Sequence, residues 1–178
     1  MRMRKSFLAA LAATAVLSTS ALAGENPAGE PVEINGMKVA GVYLQPVEME
    51  PAMAGQEAAK TDIHLETDIH ALKGNENGFA AGEWIPYLAI SYQLTKKGSA
   101  WKSAGPLLPM IASDGPHYGA NVKLDGPGQY ALSFHISPPH GHVFMRHTDK
   151  ETGVGPWWQP FDYQGEFKFV GTGKKGGY

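Results

Sequence analysis

The 178-residue sequence contains no cysteine. Disulfides, zinc-thiolate sites, a blue-copper thiolate and a lipid-modified N-terminal Cys are thereby excluded. Any metal chemistry must use His, Met and carboxylates. Charge is also sparse, at 18% Asp, Glu, Lys and Arg with a formal net charge of −2. Basic clusters are few, the tail pair Lys174 and Lys175 being a short exception, so the chain carries no electrostatic footprint for DNA or RNA. Long apolar runs are likewise missing. The longest, Phe7 to Leu17, spans only about ten residues, too short to cross a bilayer as a helix.

That run has the layout of a secretory signal. Arg2, Arg4 and Lys5 precede it, and Ala21-Leu22-Ala23 supplies small residues at the positions a signal peptidase reads. Residues 1–23 are expected to be removed on export, leaving a single soluble domain of residues 24–178. Loss of three positive charges moves the formal net charge from −2 to −5. The expected location is the periplasm, with no membrane insertion by the chain itself.

In the mature region, Gly and Pro punctuate short runs rich in Val, Ile, Tyr and Phe, and no segment repeats apolar residues at helical spacing for three turns. The pattern predicts an all-β domain. Trp84–Leu94 alternates, with Trp84, Leu88, Ile90, Tyr92 and Leu94 on one face, and Tyr130, Leu132, Phe134 and Ile136 do the same. Further strands are expected at 38–43, 58–72, 107–111, 120–124 and 166–170. This number of strands suits an immunoglobulin-like β-sandwich, a small barrel being the alternative. The Gly- and Lys-rich end, 171–178, is expected to fray.

The segment from Asp62 to His70 carries the chemistry. Side chains on a strand alternate between faces, so Asp62, His64, Glu66, Asp68 and His70 share one face while Ile63, Leu65, Thr67 and Ile69 take the other. Three carboxylates and two imidazoles with no Lys or Arg among them suit a positive ion. A solvated strand face is the alternative. His70 lies about 20 Å along the strand from His64, too far to share one ion, whereas Asp68 is near enough to shape the field at Glu66.

A second cluster, Pro109 to Gly119, places Met110 and His117 on either side of an Asp114-Gly115-Pro116 turn that folds one back towards the other. Thioether and imidazole suit copper, and carboxylate suits ferrous iron or manganese. A third element, Met145 to Asp149, precedes Trp157-Trp158 in a Gly/Pro-rich loop. These tryptophans are expected to pack over a site, at a subunit contact or over one end of the core. His135 is read as a solvated outer-face residue, His140 and His142 as members of a flexible loop, and Met49 and Met53 with Glu48 and Glu50 either as a metal-entry lip or as an ordinary exposed loop.

Taken together, Gly41-Val42-Tyr43-Leu44-Gln45-Pro46, the acidic histidine strand, Pro109–Asn121 and Arg146–Phe161 give the chain a marked similarity to a known group. It resembles the periplasmic high-affinity ferrous iron transport proteins, copper-binding dimers that accompany an inner-membrane iron permease. The resemblance implies an immunoglobulin-like fold and a homodimer. It also implies a copper site at His64, Met110, His117 and His147, with Glu66 close by and tied to binding of iron (Fe2+), for which manganese or zinc would stand in during in vitro work. In such dimers His147 reaches the site from the partner subunit. A related branch of lipoproteins carries the lipid-modified Cys that this chain lacks. From the residues themselves, three classes stay open: a metal-binding transport accessory without covalent catalysis, a copper-dependent oxidoreductase acting on ferrous iron, and a structural or adhesive sandwich. The last gives no reason for clustering His with carboxylate. If unperturbed imidazoles are the ligands, copper affinity falls as the pH drops through about 6.

Overall fold

The computed structural model describes residues 24–140 and 144–173. The predicted signal, His142 and the Lys174–Lys175 tail lie outside these residues. Among the described residues there is no α-helix, only a 3-10 turn at Ala58–Lys60, and no helix long and apolar enough to cross a membrane. Nine strands follow one another: β1 (Asn26–Pro27), β2 (Val32–Ile34), β3 (Met37–Leu44), β4 (Ile63–Ala71), β5 (Ala89–Lys96), β6 (Lys102–Ala112), β7 (Gly115–Val122), β8 (Gly128–Ser137) and β9 (Phe161–Phe169). Each described pairing is antiparallel, in the order β1-β3-β4-β7-β6-β5-β8-β9, with β2 beside β3.

The path folds into two layers because β6 changes partner midway. Residues from Lys102 to Leu107 pair with β5, and those from Leu108 to Ala112 pair with β7. Pro106 and Pro109 flank the switch. A proline has no N–H to give to a ladder and is accommodated where a strand is paired on one side only, as β6 is in each half.

The two ends of the path meet on the far side. Tyr43 of β3 lies against Phe167 of β9 with ring centroids 4.6 Å apart, and a Cβ on Gly165 would fall 2.0 Å from the Ala28 carbonyl oxygen. The result is an all-β sandwich that is nearly a closed barrel. Its core is filled by the inward faces of both layers: Val39, Ile63, Leu65 and Ile69 from one, Ile90, Leu94, Leu132, Phe134, Ile136 and Tyr163 from the other. Trp158 is buried in this core, while Trp157 packs edge-on against it at 5.9 Å.

Several element bounds differ from the alternation read in the sequence. Within 84–94 only Ala89 onward is strand. Pro86 and Tyr87, whose φ is +60°, break the ladder, leaving Trp84 in a single bridge to His70. Within 58–72 the first residues form the 3-10 turn and the ladder begins at Ile63. The β2–β3 hairpin turns on Asn35-Gly36, both at positive φ, which is the two-residue turn that the right-handed strand twist favours.

Candidate metal centre

Cross-strand register builds the site on one layer. His64 of β4 faces Asn121 of β7, Glu66 faces Gly119, and one step further Met110 of β6 faces His117. Residues 117, 119 and 121 share a sheet face with 64 and 66. Gly119 therefore stands at the centre of this grid and offers no side chain. Into the space above it converge His64, Glu66 and His117, with Glu66 Oε1 3.3 Å from His64 Nε2 and 3.4 Å from His117 Nε2. One ligand atom from each lies within 4.8 Å of the others. All three are buried, at 0%, 6% and 6% exposure, although alternation alone would turn their face towards solvent. They are covered by the loop of residues 45–57 and the β6–β7 hairpin, whose Glu48, Met49, Met110 and Asp114 line the same cleft of about 600 Å3.

Hydrogen bonding determines which nitrogen His64 presents. Asn121 Nδ2 donates to the carbonyl oxygens of Val47 and Gln56, both at 2.7 Å. Carbonyls only accept, so the amide nitrogen must face them and Oδ1 must face His64. Oδ1 lies 2.8 Å from His64 Nδ1, which therefore carries the proton, and Nε2 is left with a bare lone pair. The Nε2 atoms of both His64 and His117 are buried without a hydrogen-bond partner. Buried polar atoms rarely go unpaired. Two unpaired imidazole nitrogens beside one carboxylate, over a glycine whose Cβ would lie 2.5 Å from His64 Nε2, form a donor set and a space that fit a metal ion.

The proton balance of the pocket agrees. Burial, with His117 beside it, pushes the His64 imidazole down to about 4 against the pull of the Asn121 bond, and burial lowers His117 as well. Burial, then the charges of Asp68, Glu25 and Asp114, push the Glu66 carboxyl up to about 8. At neutral pH the metal-free site thus holds neutral imidazoles and a protonated Glu66, whose proton an incoming cation would displace. This moves the expected competition with protons away from the imidazoles near pH 6 and onto Glu66.

Beside the triad a smaller cavity of about 220 Å3 is lined by Glu25, Glu66, Asp68, Asp114, His70 and His117, with no Lys or Arg. Asp68 is raised by burial there. His70 donates to or accepts nothing from the triad; its Nδ1 lies 3.0 Å from the Gly82 carbonyl oxygen, to which it donates. Asp62 serves the chain instead: its carboxylate accepts from the Leu124 amide and pairs with Lys123.

Of the residues singled out in the sequence, His64, Glu66 and His117 are brought together, and Met110 is half-buried on the cleft wall across from His117. His147 is not brought to the cleft within the chain. It is exposed, hydrogen-bonded to Thr152 Oγ1 at 2.7 Å, and lines another cavity with Phe79, Phe144 and Trp157. His135 is on the outer face, 2.7 Å from Asp162. His140 is exposed. Residues that sequence reading did not assign to the site are Asn121, Gly119, Glu25 and Asp114. Glu25 carries no local signal, whereas Asp114, Gly119 and Asn121 lie in the segment 109–121 as a turn residue, a cluster end and a segment end.

The model of a family described as Fe2+ transport protein matches residues 22–171. The chain belongs to that family. A UPF0423 protein of Brucella abortus is 54% identical over 166 residues, covering 91% of each chain. The 34 kDa membrane antigen of Treponema pallidum is 43% identical over 138 residues, 75% of this chain and 68% of that protein. Among solved structures, a copper-bound Glu-to-Gln variant of FetP from uropathogenic Escherichia coli strain F11 is 59% identical, with a TM-score of 0.80 over 83% of this chain and 99% of that one. Copper-reconstituted P19 from Campylobacter jejuni is 51% identical, with a TM-score of 0.81 over 85% and 99%. FetP and P19 share the all-β fold described above.

Proposed function

We propose that this protein is an exported, periplasmic copper- and iron-binding protein that assists high-affinity ferrous iron uptake through an inner-membrane permease. The observation that carries the reading is the buried His64–Glu66–His117 cluster with its unpaired imidazole nitrogens, in a chain of the Fe2+ transport family. Copper occupies the imidazole side, with Met110 supplying a soft thioether. Ferrous iron takes the carboxylate side, where Glu66 borders Glu25, Asp68 and Asp114 and hard oxygen donors gather. A Glu-to-Gln variant of FetP is copper-bound, P19 has been reconstituted with copper, and FetP has been expressed recombinantly in the periplasm, which supports copper and the compartment. The signal of residues 1–23 would be removed on export.

Two substitutions separate the metals. Met110→Leu keeps volume and apolarity and is expected to weaken copper more than ferrous or manganous ions. Glu66→Gln keeps shape but removes the anion and is expected to weaken iron or manganese more than copper. Calorimetric titration of both variants with each metal, alongside circular dichroism to verify the fold, gives the comparison. Equal losses for both metals in both variants would remove the mixed site.

The site is completed in a homodimer, in which His147 of each subunit is the fourth copper ligand of the other. Its exposure and its position on a separate cavity of its own chain support this reading. The expected result is a dimer by sedimentation and, for His147→Ala, a loss of copper affinity larger than the roughly 10–100-fold that removal of a ligand's outer hydrogen-bond partner costs. A monomer, or unchanged affinity in the variant, would confine the site to a single chain.

A further inference from the structure

The wall of the cleft contributed by residues 45–57 has few hydrogen bonds of its own, the Gln56 amide to the Met53 carbonyl at 3.1 Å being one. Among the described residues, the hydrogen bonds that hold this loop on the sheet all end on Asn121. Its Nδ2 donates to Val47 O and Gln56 O, its Oδ1 accepts from Val47 N at 3.2 Å, and its backbone N–H donates to Gln56 Oε1 at 3.2 Å. The same Oδ1 accepts the Nδ1 proton of His64. The side chain is 3% exposed, so water offers no substitute partner.

We infer that Asn121 is a positioning residue that fixes the tautomer of His64 and, through the same amide, couples occupancy of His64 to the placement of the cleft wall 45–57. The inference rests on the reading of His64 as a metal ligand through Nε2. The physical link is the shared oxygen. A cation on Nε2 withdraws electron density from the ring and makes Nδ1–H a stronger donor, which holds Oδ1 towards His64. The amide is planar, so fixing Oδ1 also fixes Nδ2 on the two loop carbonyls. Linkage is reciprocal: a loop released from Nδ2 frees the amide to rotate and loosens the ligand. Outer hydrogen-bond partners of metal-bound histidines act in this way, setting both ring orientation and tautomer. Here the partner also holds Val47, two residues from Met49 on the cleft wall.

Two variants of the mature chain test it. Asn121→Asp keeps an oxygen acceptor for His64 but sets a second carboxylate oxygen against the carbonyls of Val47 and Gln56. Asn121→Leu removes both functions. Nitrogen-15 NMR of the histidine rings in the metal-free protein reads the tautomer, and hydrogen exchange of residues 45–57 with and without copper reads the loop. Wild type is expected to show His64 as the Nδ1–H form and loop exchange slowed by copper. Asn121→Asp should keep that tautomer and lose less copper affinity than Asn121→Leu, while its loop exchanges faster and no longer responds to copper. Asn121→Leu should lose the tautomer preference and about 10–100-fold in copper affinity. Loop exchange in Asn121→Asp equal to wild type, or an intact Nδ1–H form in a folded Asn121→Leu, would overturn the inference. Failure of wild type to bind copper at all would instead overturn the metal-site reading, and the metal-free tautomer and exchange measurements would still decide the role of Asn121.

Discussion

Gly119→Ala is expected to abolish copper binding while leaving the sheet intact. Gly119 is not among the glycines at positive φ, so its backbone accepts an alanine without strain. The methyl group would fall 2.5 Å from His64 Nε2, 3.0 Å from His64 Cε1 and 3.4 Å from His117 Cδ2, in the space where the two imidazoles and Glu66 converge. A side-chain end can often swing away from such an intrusion. His64 is restrained from doing so, being fully buried and held at Nδ1 by Asn121. Turning the ring would break that bond and leave Asn121 Oδ1 with one partner fewer in a buried place, a cost of about 1–3 kcal/mol. Either the ring turns and its lone pair leaves the site, or the methyl stays and occupies the metal's space. Both outcomes remove a ligand and the cavity together, so the loss should exceed about a hundredfold, beyond the range for changes outside the ligand set. Copper titration with circular dichroism at each point measures this. Wild-type affinity in a folded Gly119→Ala protein would place the metal away from the space above Gly119.

The same glycine marks the boundary of what is legible in the sequence. Alternation from Ile63 to Ile69 separates a core face from the face that carries His64, Glu66 and Asp68, because β4 is regular and the period of two is geometric. Met110 and His117 are recognisable as neighbours because a short turn between two strands forces a hairpin register. What alternation cannot give is the register between β4 and β7, strands separated by more than forty residues. That register alone puts Gly119 opposite Glu66 and Asn121 opposite His64. Nor does it give Glu25, which reaches the acidic cavity from the opposite end of the chain. The expected strand from Trp84 fails for a local reason: Tyr87 adopts a positive φ that no periodicity signals. Burial of the face that carries His64 and Glu66 depends on the loop 45–57, whose hydrogen bonds to the sheet, among the described residues, are made by the side chain and backbone N–H of one residue, Asn121. The sequence of 45–57 reads as an exposed loop, and most of its residues are exposed, yet it closes the cleft.

The metal-free protein is expected to lose stability as the pH rises from about 6.5 to about 8, and Glu66→Gln is expected to remove most of that loss. Glu66 is raised in the folded protein from 4.5 to about 8. Between those values the folded state keeps a proton that the unfolded state has released, so stability falls with increasing pH and levels off above about 8. His64 acts with the opposite sign. Its imidazole drops from 6.5 to about 4 on folding, so between those values the unfolded state binds the extra proton and stability rises with pH; His117 shifts in the same direction. From about 4.5 to 6.5 the two trends oppose each other. Above 6.5 the unfolded imidazoles lose their remaining protons within about a unit, and the downward trend from Glu66, with Asp68 and Glu25 raised in the same direction, takes over. At about 1.4 kcal/mol per pH unit, a window of about 1.5 units corresponds to a loss on the order of 2 kcal/mol. Glutamine has no proton to lose, so the urea midpoint of Glu66→Gln should fall far less than that of wild type between pH 6.5 and pH 8. Copper should raise the stability of wild type at both pH values, because it binds only the folded state. Urea denaturation of both proteins at the two pH values, with and without copper, is the measurement. A Glu66→Gln midpoint that falls between pH 6.5 and pH 8 as steeply as that of wild type would show that the proton sits elsewhere, and Glu66 would then be an ordinary ionised carboxylate rather than the group that a metal must deprotonate.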